Sequence, residues 1–550
     1  MKMNKGKGFT LVELLAVIVV LAIVLIVAVP GVLSVINQSK QKSYDMQLEM
    51  IKEAGRLYVT ERGKSITWKN DGTNKVSAIS LKQLQEKGYL EKKVIDPRNK
   101  KEIKNVAVLV TKTTSSRVTY QIVYLDDSGA SYPSYSAGMI PVVYKDNKWV
   151  KADPSNENQS WFDYSKQQWA NIATVTEDVR QTLVDAAVGT EVPMDKINTM
   201  FVWIPRYRYK LWNIDGTELP TGNPNMAGDY MIDVRFESVN EDKSTGTQNG
   251  QWLTHPAFTF GGQDLDGFWV AKFETGYKDA TNMNEGLQDT IQPDKIIVKP
   301  NCYAWRQIKG VRMFDNALQV TDEGNVFGFN ETSDSHLMKN MEWGAMAYLT
   351  YSPYGKAGNS SYSGEEKQVR RNANNTAVTG CGASQQDALA TDTCESYETP
   401  NGQAASTTGN ISGIYDVSGR WNVLAGVMKD LNGNLIIGDS DFSQERLNEL
   451  GVQGKYFDVY EYGTVSYTIN RGHLGDATIE VGPIIQYNRS AWYEDYAAFV
   501  FQNNSYNIPW FARGGGRDDF EISGIMEFGY TSGLPAGAGH YLMGWRLTLL

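Results

Sequence analysis

The sequence predicts an α+β chain: a long N-terminal helix, a small antiparallel sheet, and then a large loop-rich head. Three observations predict it. An unbroken apolar run opens the chain and passes into an amphipathic period. Two β-rich runs separated by a short polar turn follow. Beyond them glycine and aromatic residues accumulate without a long helical period, the 550 residues including 51 Gly, 14 Trp and 30 Tyr. That mixture suits short strands, turns and aromatic packing more than a helical bundle. The length calls for about two or three domains.

In the first element, Thr10 and Glu13 are the only non-apolar residues from Phe9 to Val29. A helix of that length spans about 31 Å, roughly the hydrocarbon core of a bilayer. Lys2, Lys5 and Lys7 precede it, which keeps the N-terminus cytoplasmic. A cleaved secretory signal does not fit, because the apolar region is too long and no small-x-small site follows. Glu13 therefore needs a partner, since a carboxylate inside a membrane is tolerated only when paired.

The segment KGKG-FTLVELL resembles the N-terminus of type IV prepilins and pseudopilins, over about the first 60 residues. The resemblance implies a leader of residues 1–8, cleavage after Gly8 by a prepilin peptidase, and Phe9 as the N-methylated first residue. It also implies that Glu13 pairs with the free amine of a neighbouring pilin subunit. Pro30 matches a position where the family's helix bends or loosens.

The helix is expected to continue to residue 62. Ile36, Tyr44, Leu48, Ile51 and Tyr58 form its apolar face, with Lys40, Lys42, Glu49, Lys52 and Glu53 on the other. SLKQLQEKGYL reads as a short helix ending near Gly88, and VAVLVTK (106–112) with RVTYQIVYL (117–125) as a hairpin. By the resemblance, residues 63–150 make a small pilin β domain. Residues 151–200, which include the polar stretch DPSNENQSWFD (153–163), read as linker and lead-in, and the head as 201–550.

Within the head, six segments stand out in order: FVWIPRYRYKLW (201–212), GFWVAKFETG (267–276), HLMKNMEWGAMAYL (336–349), GNISGIYDVSGRWN (409–422), WFARGGGRDD (510–519) and GWRLTLL (544–550). Their order resembles the C-type-lectin-like fold of the formylglycine-generating-enzyme, or sulfatase-modifying-factor, type. Glu342, Trp343 and Gly344 match its E-W-G/A segment, and Gly413 to Trp421 match G-I-Y-D-x-S/G-G-x-W. Arg513, Gly514 and Gly515 match R-G-G, while Gly544, Trp545 and Arg546 match the terminal G/S-F-R with Trp for Phe. These residues read as fold determinants. Glycine beside Trp and Arg makes tight turns, and the two arginines suit binding to carbonyls in a core with few regular strands.

An enzyme is not expected. The enzyme of this fold uses two late cysteines to bind copper, and no cysteine follows Cys394 here. Asn422 stands where the family carries a carboxylate. His255, His336, His473 and His540 are scattered singly and read as hydrogen-bonded surface or core residues. With 3 Cys and 4 His there is no zinc-site spacing, and no metal or cofactor is expected. KDLNGNLIIGDSDF (429–442) lacks the glycine and closing glutamate of a calcium loop and reads better as a hairpin turn. Cys381 and Cys394 lie in a Gly/Ser/Asn-rich insertion, about 355–408, where a disulfide would close a loop of about a dozen residues. Cys302 is left as a free or buried thiol.

Between Gly515 and Gly544 the periodic pattern of a core element is missing. Arg517, Asp518, Asp519, Tyr530, Ser532, His540 and Tyr541 read as displayed on loops, joined by Trp492, Tyr493, Asn503 and Tyr506 from upstream. Aromatic, small and charged residues on a rigid frame make an adaptable binding surface. The same fold carries the variable proteins of diversity-generating retroelements, which vary the residues just before the terminal motif. The resemblance therefore implies a pilin-anchored adhesin or receptor binding a protein, glycan or phage. The alternatives are a structural minor pilin of a secretion or DNA-uptake system and an extracellular enzyme of the sulfatase-modifying type. The net charge of −10 argues against nucleic acid as the partner.

Overall fold

The computed structural model of the protein describes most residues from 39 to 550. Residues 1–38 lie outside the description, as do short segments, among them 215–225, 283–289, 435–442, 461–472, 482–487, 490–494, 499–509, 517–522 and 530–542. Gly8, Phe9, Glu13, Pro30, Ile36 and the apolar run are therefore outside the described residues, and most of 429–442 is as well. The chain divides into two compact units: Met1–Trp68 with Asn74–Val123, and Lys69–Thr73 with Tyr124–Leu550.

In the first unit a helix runs over residues 42–62. Its three- and four-residue spacing puts Tyr44, Ile51, Ala54 and Tyr58 on one buried face. Leu48 is only half-buried, and Met46, Met50 and Leu57 stand exposed. Strands Asn74–Ser80 and Val106–Lys112 pair antiparallel, with Ile79 opposite Val108, and Val118–Tyr124 lies next in order. Alternation sends Val106, Val108 and Val110 into the interior. The short helix Leu81–Glu86 is capped by Ser80, whose hydroxyl accepts from the Gln83 amide, and it buries Leu81 and Leu84. Gln83 Nε2 donates to the Tyr58 hydroxyl at 2.8 Å.

The second unit begins earlier than the sequence suggests. Among the described residues one of its sheets has seven strands, in the order Ser335–Leu337, Leu547–Leu549, Gly267–Ala271, Ile197–Pro205, Asn171–Val175, Ile140–Lys145 and Lys148–Lys151. Residues 140–151, expected in the small pilin domain, are thus strands of the head sheet. The expected linker 151–200 supplies another strand and the helix Glu177–Asp185. Trp161, Phe162, Tyr164 and Trp169 are fully buried. The polar residues before them act as turn groups: Asn156 Oδ1 accepts from the amides of Trp161 at 2.8 Å and Phe162 at 3.0 Å. Polar composition there marks a tight buried turn, since buried backbone amides must find acceptors.

A second sheet is built on Trp421–Met428. Trp510–Arg513 pairs with it antiparallel, Met543–Trp545 and Asp458–Tyr460 pair with it parallel, and Phe528–Gly529 pairs with Trp510–Arg513. The helix Asn340–Thr350 is buried along its whole length, which explains why it is apolar on every side. Gly344 is needed in it, because a side chain there would collide with the Gly475 carbonyl. The 355–408 region is part of this unit: the Lys356 ammonium donates to the carbonyls of Gln368 and Ala404. Strands Cys381–Gly382 and Glu395–Ser396 pair antiparallel, and Cys381 is disulfide-bonded to Cys394 with the Cα atoms 4.8 Å apart. Cys302 is a half-buried free thiol that burial pushes up to about 11.

Candidate functional site

In the late part of the head, the described residues build a frame around one strand. The frame forms around strand Trp421–Met428. Asn422 pairs on one side with Arg513 and on the other with Gly544. Its Nδ2 donates to the carbonyls of Arg420 at 2.9 Å and Asp416 at 3.2 Å. The residue in the expected carboxylate position is therefore spent on closing the turn before its own strand.

Both arginines bind backbone. Arg513 donates from Nη1 to Asn340 Oδ1 and the Asp476 carbonyl, each at 3.2 Å, and from Nη2 to the Ala477 carbonyl at 2.9 Å. Arg546 donates to the carbonyls of Ala271 and Tyr415 at 2.7 Å and Asp416 at 3.2 Å. Neither is exposed, and burial lowers each guanidinium to about 10. Gly514 follows Arg513 with φ +89°, and a methyl there would sit 2.6 Å from the Arg420 carbonyl oxygen. Glycine alone takes that left-handed conformation without strain and leaves room for the carbonyl. Gly515 is buried next to it and Gly544 is buried across strand Trp421–Met428, Trp545 packs on Trp305 with centroids 5.8 Å apart, and Trp421 is half-buried.

Asp416, with φ +60°, joins these parts. Its Oδ1 accepts from Asn372 Nδ2 at 2.7 Å and the Gly380 amide at 2.9 Å. Burial and then the nearby Glu274 carboxylate raise its pKa, against the pull of Arg546. Glu274 in turn pairs with Arg306 at 3.2 Å.

Glu342 anchors the buried helix. Its Oε1 lies 2.9 Å from His336 Nε2, and its Oε2 accepts from the Lys339 amide at 2.9 Å and Thr548 Oγ1 at 3.1 Å. Asp334 Oδ1 lies 3.2 Å from the other ring nitrogen of His336. Burial opposes charge on His336, yet the two carboxylates win and hold it up to about 9. Burial likewise opposes charge on Glu342, and His336 with Lys339 holds its carboxyl below the usual range. Trp343 Nε1 donates to the Ile525 carbonyl at 2.7 Å. Glu342, Trp343, Arg513 and Arg546 thus spend their polar groups inside the fold.

Asn503, Tyr506, Arg517, Asp518, Asp519, Tyr530, Ser532, His540 and Tyr541 lie outside the described residues, as do Trp492 and Tyr493. The strands on either side of them, Trp510–Arg513, Phe528–Gly529 and Met543–Trp545, all belong to the sheet just described. His255 and His336 are fully buried, and His473 Nε2 lies 2.7 Å from the Val459 carbonyl. Among the described residues no group of three or more His, Cys, Asp or Glu is placed to hold a metal. Sequence reasoning missed the buried carboxylates Asp476, Glu480 and Asp495 and the buried Lys272. Lys272 donates to the carbonyls of Ile411 and Gly413 at 2.7 Å, and burial pushes it well below the usual lysine range. Asp476, Glu480 and Asp495 lie outside the six segments singled out, and Lys272 lies within GFWVAKFETG, where nothing in the sequence distinguishes a buried lysine from an exposed one.

The chain matches a family described as the prokaryotic N-terminal methylation motif over residues 3–29. No curated protein matches it. The N-terminus therefore carries a type IV pilin-like methylation motif, covering Gly8, Phe9 and Glu13. Among the described residues no helix is long and apolar enough to cross a membrane, and the apolar run itself lies outside them.

Proposed function

We propose that this chain is a pilin-like protein of the cell surface whose head, of the C-type-lectin-like sulfatase-modifying-factor type, binds a partner through its last fifty residues. Prepilin peptidase cuts it after Gly8, and the membrane segment from Phe9 assembles with other pilin subunits. The methylation motif over residues 3–29 supports the anchor. One observation carries the head's role: Glu342, Trp343, Arg513 and Arg546 are consumed by internal hydrogen bonds. The candidate ligand residues remain those of the sequence reading, Asn503, Tyr506, Arg517 to Asp519, Tyr530, Ser532, His540 and Tyr541, which lie outside the described residues.

The ligand is a protein, glycan or phage surface, and diversification by a retroelement rests on the resemblance in fold, the position just before the terminal motif and the residue types there. The reading assigns no catalysis, because no cysteine follows Cys394. Sequencing the final 200 or so bases of the gene across a cell population tests it. Substitutions are expected to crowd into codons 503–541 and to spare those for Arg513, Gly514, Gly544 and Arg546. Uniform invariance would sink the diversified reading and leave a fixed adhesin or minor pilin. Mass spectrometry of the mature N-terminus tests the anchor, with a chain beginning at methylated Phe9 expected.

A further inference from the structure

Glu480 is held in an unusual way. Its Oε2 accepts three hydrogen bonds: from the Tyr209 hydroxyl at 2.8 Å, the Tyr348 hydroxyl at 2.9 Å and the Gly475 amide at 2.8 Å. Its Oε1 is equally buried and has no hydrogen-bond partner among the described residues. The carboxyl and the residues that hold it draw on four elements. Strand Tyr207–Lys210 contributes Tyr207 and Tyr209, and the helix Asn340–Thr350 contributes Tyr348. The turn before Pro256 contributes His255, which burial holds down to about 3 and which is therefore neutral. The carboxyl's own segment contributes Asp476, which repels it. The guanidinium of Arg513 approaches the same segment but is committed to Asn340 Oδ1 and the carbonyls of Asp476 and Ala477.

The segment from His473 to Val481 ties several parts of the head together. Asp476 Oδ2 accepts from the Tyr460 hydroxyl at 3.0 Å and the His473 amide at 2.8 Å. His255 Nε2 lies 2.9 Å from the Gly475 carbonyl. Arg513, at the end of strand Trp510–Arg513, holds the carbonyls of Asp476 and Ala477.

We propose that Glu480 is a proton-dependent latch on the 473–481 segment, firm while its carboxyl is neutral and loosened when the carboxyl ionises. A neutral carboxyl keeps all three hydrogen bonds on Oε2 and carries its proton on Oε1. An ionised one leaves negative charge on a buried oxygen that no donor among the described residues reaches, which costs more than the uncharged O–H that the neutral form leaves there. This inference does not depend on what the head binds.

Burial pushes the Glu480 carboxyl up to about 7, against an ordinary 4.5. The closed segment therefore holds a proton that an opened, hydrated segment gives up between those values. Its grip is full below about pH 4.5, falls as pH rises toward 7, and loses nothing further from this group above that.

Hydrogen exchange by mass spectrometry on the full chain in detergent micelles tests the latch, at pH 5, 6, 7 and 8 and corrected for intrinsic exchange. Peptides covering 473–481 should lose protection by about tenfold per pH unit up to 7, then level off. Peptides covering Val106–Lys112 serve as the control and should stay flat. Glu480→Gln, a permanently neutral isostere, should remove the dependence. Tyr348→Phe takes one donor from the carboxylate and should move the levelling point to higher pH. An unchanged slope in Glu480→Gln overturns the latch. Should that variant fail to fold, an unmoved levelling point in Tyr348→Phe overturns it instead.

Discussion

The interior of the N-terminal unit and that of the head are made of different materials. Ile51, Ala54, Tyr58, Leu81, Leu84, Val106, Val108 and Val110 fill the first, and among its described buried residues only Ser77 and Asp96 are polar. The head buries Arg206, Glu237, Lys272, Glu274, Arg306, His336, Glu342, Lys356, Asp416, Glu480, Arg513 and Arg546 as well as its aromatic core. A helix laid on a sheet satisfies its own backbone, so apolar contact is enough to join the two. A head of short strands and long connections leaves many carbonyls without ladder partners, and buried cations supply the missing donors. The cost is sensitivity: each such cation holds several segments at once, and removing one strands all of them.

The largest break in this contrast should come from Arg546→Met. Three carbonyls lose their donor and the Asp416–Glu274 pair loses a neighbouring charge. We expect a loss of about 3–5 kcal/mol, the range for breaking a buried charged network. In a thermal melt the head transition should fall steeply while the N-terminal unit melts as before. Reducing Cys381–Cys394 should cost the head about 3 kcal/mol if loop entropy governs, and nothing in the N-terminal unit. Chemical denaturation with and without reductant measures both.

His336 sharpens the contrast through pH. Against the pull of burial, Glu342 and Asp334 hold its imidazole up to about 9 in the folded chain, where an ordinary histidine lies at 6.5. The folded head therefore holds a proton that the unfolded chain releases across that window. The stabilisation is complete below about pH 6.5 and is lost as pH rises toward 9, on the order of 3 kcal/mol in all. His336→Gln should flatten that part of the head's stability profile. The N-terminal unit answers to packing instead: Ile51→Val should cost about 1 kcal/mol in its own transition and leave the head unmoved. The smallest effect belongs to the exposed pair of Lys148 and Glu191, 3.1 Å apart, where Lys148→Ala should cost less than about 0.5 kcal/mol.

How much of this is legible beforehand varies by element. The buried face of the 42–62 helix follows from its period, and the strands at 106–112 and 118–124 from their β-branched and aromatic runs. The limits of the head do not. Asn171–Val175 pairs with Ile197–Pro205, and the last strand, Leu547–Leu549, lies between Gly267–Ala271 and Ser335–Leu337. Nothing in the local composition of 151–200 reports such distant partners. Its polar residues look like linker because a turn acceptor such as Asn156 and a solvated loop residue are the same residue in sequence. Within the frame, Arg513 and Arg546 stand out by their glycine and tryptophan neighbours, whereas Asp476 and Glu480 have no such setting.

By itself, the sequence determined what contiguous residues can encode. It set an apolar run long enough for a bilayer, a methylation motif within residues 3–29, an amphipathic helix, and cysteines spaced to close a short loop. Only the tertiary structure decided where the head begins and which charges it buries. It also decided that Glu480 meets Tyr209, Tyr348 and Gly475 on one oxygen and, among the described residues, no partner on the other. The reason is physical. Local pattern is carried by neighbours along the chain, while desolvation and hydrogen-bond geometry are imposed by residues brought together from far apart in it.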